Sequence, residues 1–123
     1  SAYNSGVQFL TSGGIENAKT CKVYANFNSS GSINYSFNVS SVTVNGLGDF
    51  TINFSNAAST SYHSSFSHCS TDGEYGRSYN CVLGYYSSTS SSLRLVSRGS
   101  GPYGGRGEYY GKTYDPMSMG AFW

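Results

Sequence analysis

The sequence predicts an all-β domain: an antiparallel β-sandwich of short strands joined by long Tyr/Gly-rich loops. Three observations carry that expectation. Short runs alternate apolar and polar side chains, the period-two pattern of half-buried strands. Clusters of Gly, Ser and Asn separate these runs, and no window has the periodicity of an amphipathic helix. Aromatic residues make up 16% of the 123 positions, more than a serine-rich chain would carry as a solvated coil.

The elements follow in order. In KVYANF, Lys22–Phe27, the residues Val23, Ala25 and Phe27 share one face, while Lys22, Tyr24 and Asn26 share the other. Ile33, Tyr35, Phe37 and Val39 then alternate with Asn34, Ser36 and Asn38, and the NSSG link predicts that the two runs pair as a hairpin. After a break at Ser40-Ser41, Val42 and Val44 lead into NGLGD. There Asn45, Gly46 and Gly48 tolerate positive φ, and the Asp49 side chain can bond the turn backbone. Phe50, Ile52 and Phe54 alternate on the far side, so FNVSSVTVNGLGDFTINFS (37–55) reads as a tight hairpin aiming its large apolar residues at one core. Further strands are expected around Ser61–His68, Tyr79–Tyr86, Leu93–Arg98 and Met117–Trp123.

The length fits one domain over 1–123. A formal charge of +1 with 11% charged residues leaves no broad electrostatic footprint for nucleic acid or an anionic membrane. No apolar run approaches the roughly 20 residues that span a bilayer. SAYNSGVQFL lacks the basic-then-apolar pattern of a signal peptide. The expectation is therefore no nucleic-acid partner and no membrane insertion.

Cys21, Cys69 and Cys81 form neither a disulfide-dense set nor paired CxxC clips. Cys21 and Cys81 lie in β-like runs, where free cysteine behaves as a small buried hydrophobe. The expectation is three reduced thiols. Cys69–Cys81, closing a short loop around STDGEYGRSYN, is the one disulfide worth checking.

Motifs for chemistry fail on inspection. His63 and His68, five apart, would point to opposite faces of a continuous strand and have no ligand set nearby, so no metal and no cofactor are expected. GEYYGKT (107–113) places three residues between its glycines where a phosphate loop needs four. No G-x-S-x-G elbow occurs, and Glu16, Asp49, Asp72, Glu74, Glu108 and Asp115 include no obvious acid/base pair, so no catalytic residues are assigned and the protein is not expected to be an enzyme. A polysaccharide-trimming enzyme is the rival reading. It would need Glu74 or Glu108 brought to Asp115 from distant loops.

Binding chemistry concentrates in GSGPYGGRGEYYGKTY (99–114), which sets Tyr103, Tyr109, Tyr110 and Tyr114 beside Arg106, Glu108 and Lys112 on a glycine-rich backbone. Tyr/Ser/Gly mixtures are the composition of adaptable binding loops, because tyrosine gives large contact area with a hydrogen-bonding tip at low entropy cost. GEYGRSY (73–79) and GYYSSTSSS (84–92) share that composition and add Arg77 and Tyr86 as candidate ligand-binding residues. The alternative is that these tyrosines pack on their own sheet or on a neighbouring subunit.

VYANFNSSGSINYSFNVSSVTVNGLGDFTINFSNA (23–57), followed by DPMSMGAFW (115–123), resembles a small β-module of bacteriophage virion proteins, found most often at the C-terminal tips of tail fibres and related appendages. The N-F-N-x-x-G hairpin, the F-N-V-S-S-V step and the N-G-x-G-D-F-T-I-N-F hairpin carry the resemblance in order. It implies a non-enzymatic receptor-binding tip located in the virion, assembled as a homotrimer among other virion proteins. It also implies host cell-surface polysaccharide or lipopolysaccharide as ligand, with 1–18 as a connector to an upstream fibre. The second reading is a structural virion protein, a head fibre or capsid decoration without receptor binding.

Overall fold

The computed structural model describes residues 8–17, 20–69, 80–100 and 115–123, and among them every regular element is a β-strand. The strands are β1 (Gln8–Thr11), β2 (Gly14–Asn17), β3 (Val23–Phe27), β4 (Ile33–Phe37), β5 (Val39–Gly46), β6 (Asp49–Phe54), β7 (Ser64–Cys69), β8 (Asn80–Ser88), β9 (Ser92–Ser100) and β10 (Met117–Phe122). They form two four-stranded antiparallel sheets, ordered β4-β3-β10-β7 and β5-β6-β9-β8. The expected all-β sandwich is observed. β1 and β2 make a separate two-stranded sheet within the stretch read as a connector. Its turn is held by Thr11, whose hydroxyl accepts from Gly13 N and donates to Gly14 O, with Gly14 at φ 116°.

Strict alternation on β3, β6, β9 and β10 builds the core. Val23, Ala25, Phe27, Met117, Met119 and Ala121 face inward from the first sheet, and Phe50, Ile52, Phe54, Leu93 and Leu95 from the second. All are buried, and at about 25 cal/mol per Å² their removal from water is the main favourable contribution to folding. Phe27 and Phe50 meet edge to face across the sandwich. At one end the His63 ring packs against both Phe54 and Trp123, which also stack on each other. His63 Nε2 is 3.0 Å from the Thr60 carbonyl, which can only accept, so the proton sits on Nε2. His63 precedes β7 and is not part of a continuous strand with His68, contrary to the sequence expectation.

Both expected hairpins form. The β3–β4 turn uses Gly31 at φ 85°, and a Cβ there would come within 3.0 Å of Val42 O, so backbone conformation and close approach both require glycine. The β5–β6 turn corrects the expected chemistry in detail. Positive φ occurs at Gly48 (67°) and not at Asn45 or Gly46. Asn45 instead donates from Nδ2 to Asp49 Oδ1 and Thr51 Oγ1.

The chain changes sheets at Asn38, earlier than the expected break at Ser40-Ser41. Asn38 is the one non-glycine at positive φ (58°) among the described residues. Its Nδ2 donates to Lys22 O and Asn56 O, its Oδ1 accepts from Asn56 N, and its own carbonyl accepts from Ser55 N. A short polar side chain that tolerates this conformation thereby pins the corner to both sheets.

The cysteines differ in state. Cys69 is disulfide-bonded and Cys21 is free. Cys81, the partner weighed from the sequence, has its side chain outside the described residues. The expectation of three reduced thiols is therefore wrong. Alternation scores each strand separately and carries no information on which edges of two sheets lie together. Here the Ser67 hydroxyl on β7 also donates to Leu83 O on β8.

Candidate functional site

The functional chemistry of the described residues lies on the outer faces of the two sheets, and the two faces differ. On the second sheet the outward side chains are mostly polar and satisfy one another, with Val96 and Tyr86 as exceptions. Asn53 Nδ2 donates to Ser41 Oγ and Thr43 Oγ1, at 3.0 and 2.9 Å. Arg94 closes a bidentate pair on Asp49, with Nε on Oδ1 at 2.9 Å and an Nη on Oδ2 at 2.5 Å, and its guanidinium lies 4.3 Å from the centre of the Tyr86 ring. The hydrogen bond that Arg94 donates to Asp49 raises the Arg94 pKa, desolvation opposes the rise, and the charge of Asp49 and then Tyr86 add to it. For a cation a raised pKa means stabilisation present below the ordinary value and lost only as pH rises through the folded one. Arginine is charged throughout the neutral range, so the pair is insensitive to pH there.

Tyr86 is therefore a stacking partner for Arg94 that still exposes 55% of its surface, presented by the bulge between Tyr85 and Ser87 where β8 loses register with β9. Of the expected ligand-binding residues it is the one whose side chain the structure describes. Arg77, Tyr103, Arg106, Glu108, Tyr109, Tyr110, Lys112 and Tyr114 lie outside the described residues.

The outer face of the first sheet is aromatic. Antiparallel register fixes its layout: Tyr24 on β3 is opposite Phe37 on β4 and Gly120 on β10, and Gly120 is opposite Phe66 on β7. One row across four strands therefore reads Phe37, Tyr24, Gly120, Phe66. The adjoining row reads Tyr35, Asn26, Ser118, His68. Tyr24 and Phe37 stack with centroids 5.7 Å apart, and Tyr35 meets Tyr24 edge-on at 6.5 Å. The tip of the Phe66 ring covers Gly120, where an added Cβ would fall 2.3 Å from Cζ. Tyr24, Tyr35, Phe37 and Phe66 nevertheless expose 41, 62, 49 and 51% of their surfaces.

Beside the rings runs a chain of amides and a hydroxyl. Asn34 Nδ2 donates to Asn26 Oδ1 (2.8 Å), and Asn26 Nδ2 donates to Ser118 Oγ (2.9 Å). Neither row contains Asp, Glu, Lys or Arg, and His68 closes the second one. Phe37, expected to face the core with the rest of 37–55, points outward instead.

Carboxylates in this region are structural. Asp115 Oδ1 accepts from Ser29 N at 2.7 Å and so holds the β3–β4 turn, at a cis Asp115–Pro116 peptide. No group of three metal-ligating side chains occurs among the described residues.

No protein-family model matches the chain, and no curated protein or solved structure does so either.

Proposed function

We propose that this domain is a non-enzymatic recognition module of a bacteriophage virion, the receptor-binding tip of a tail fibre, and that it binds host cell-surface polysaccharide or lipopolysaccharide as a homotrimer. The observation that carries this reading is the placement of chemistry. Among the described residues, half-exposed rings and amides stand on an open sheet face, whereas Asp49 and Asp115 are engaged in holding strands and turns. A surface of rings without an acid/base pair suits binding and not bond cleavage. The resemblance over 23–57 supports the virion location, and three equivalent sites would turn weak saccharide contacts into useful avidity.

Binding of the purified protein to intact bacterial cells tests the reading, alongside a Tyr109→Ala/Tyr110→Ala variant of unchanged oligomeric mass. Saturable binding supports a receptor-binding tip. No binding to a panel containing the true host overturns it. The second reading is a structural virion protein, and the half-exposed Phe37 and Phe66 favour it, since subunit interfaces accept apolar rings that solvent does not. On that reading, substitutions at these rings lower oligomeric mass and leave cell binding absent throughout.

A further inference from the structure

We infer that the Phe37–Tyr24–Phe66 row on the outer face of the first sheet is a binding platform for an uncharged oligosaccharide, distinct from the Tyr/Gly-rich loops. The inference rests on the reading of the domain as a glycan-binding module and says where, and for which saccharide class, it binds.

The first argument is asymmetry. The second sheet shows how this chain solvates an outer face, with Asn, Thr, Ser, Asp and Arg in closed hydrogen-bond pairs. The first sheet departs from that solution in one contiguous place, putting two phenylalanines and two tyrosines in water. Contiguous exposed rings on a soluble domain mark an interaction surface.

The second argument is Gly120. Its φ is not positive, so no backbone conformation demands glycine, and glycine in the middle of a central strand costs stability. The three nearest atoms that a Cβ would meet all belong to the Phe66 ring. The glycine thus gives room for the Phe66 ring to lie over β10, where it also meets Phe122 with 6.2 Å between centroids. Sequence choice at 120 serves the surface and not the core.

The chemistry of the two rows selects the ligand. Neither row holds Asp, Glu, Lys or Arg, and His68 at one end is the only basic side chain, so the rows lack the cluster of fixed charge that would hold phosphate, sulfate or uronate or complement a charged peptide. Rings flanked by an amide and hydroxyl row match the two chemistries of a pyranose, which has an apolar C–H face and hydroxyl edges. The Tyr24 and Tyr35 hydroxyls make no hydrogen bond among the described residues and are open to such edges. At the exposures above, the four rings present about 400 Å², taking about 200 Å² for a whole aromatic side chain. A stable protein interface takes about 800 Å² from each partner, so the platform is small for a second copy of this chain. Three strand-to-strand steps make the row about 14 Å long, the length of a short oligosaccharide.

The test uses the full chain on immobilised neutral gluco-, galacto- and manno-oligosaccharides, with heparin as the anionic probe. Three variants accompany the wild type: Tyr24→Ala/Phe66→Ala, Gly120→Ala and the loop variant Tyr109→Ala/Tyr110→Ala. The substituted face residues are exposed or sit beneath a movable ring, so folding is retained, and circular dichroism checks it. The inference expects a neutral oligosaccharide to bind, heparin not to bind, and affinity to fall about tenfold or more in both face variants while the loop variant keeps it. Loss in the loop variant alone overturns the platform and leaves the glycan-binding function standing. Binding to heparin only overturns the ligand class. A wild type that binds neither cells nor any saccharide overturns the inference together with the function it rests on. Lowered oligomeric mass in the face variants, with saccharide binding intact, overturns it in favour of self-association.

Discussion

The Phe27 and Phe50 rings meet edge to face with 5.3 Å between centroids, one from each sheet and both fully buried. Each fills space that the other sheet cannot supply, so Phe27→Ala and Phe50→Ala should each lose about 3–5 kcal/mol in urea titration. The double variant should lose less than the sum, by about 0.5–1.5 kcal/mol, because the pair interacts directly. Strict additivity would mean that the rings act as independent fillers.

Asn38 combines an unusual backbone with a set of side-chain hydrogen bonds, and two substitutions separate these roles. Asn38→Gly keeps the conformation and loses the bonds; Asn38→Ala loses both. The alanine variant should be less stable than the glycine variant by about 1 kcal/mol. Equal midpoints would show that the hydrogen bonds alone hold the corner.

Reduction of the disulfide at Cys69 should lower stability by about 2–4 kcal/mol, the usual contribution of a native bridge. Cys21 donates weakly from Sγ to Val23 O and closes no loop, so Cys21→Ser should stay within about 1 kcal/mol of the wild type. Paired denaturant curves with and without reductant decide it. Overlapping curves would show that the bridge adds nothing to the native packing.

Gly120→Ala opposes two effects of similar size. Alanine restricts the unfolded chain, while its methyl displaces a flexible ring tip. Thermal stability should move by no more than about 1 kcal/mol, and nuclear Overhauser contacts should show Phe66 lifted away from residue 120. A loss of about 3 kcal/mol or more would mean that the ring cannot swing aside.

Much of the sandwich was legible because its hairpins carry their own signals. Alternation marked β3 and β6, and Gly31 and Gly48 marked the turns. What could not be read was which side of an alternating strand meets the core. Ile33, Tyr35 and Phe37 share a period-two pattern, yet the pairing of Asn26 with Tyr35 and Tyr24 with Phe37 puts both rings outside. A bulge between Asn26 and Phe27 breaks the β3–β4 register, so Ile33 packs against the core from the same strand. The aromatic row was invisible for a related reason. Its members come from β4, β3, β10 and β7, and only pairing between distant segments makes them neighbours. The hairpin of β1 and β2 escaped notice because four-residue strands around Ser12-Gly13 are too short for alternation to show.

The position of β10 bears on the order in which the molecule can assemble during synthesis. The second sheet draws on residues up to Ser100 alone, so its ladder can close while the rest of the chain is still being made. The first cannot. β10 lies between β3 and β7, and β7 has no other ladder partner, so that half of the sandwich waits for Met117–Phe122 to emerge. Until then the apolar faces of β3 and β6 have half a lid. Residues 1–114 followed by a spacer that clears the ribosome should be degraded by protease far faster than residues 1–123 followed by the same spacer, and equal survival would show that the second sheet stands alone.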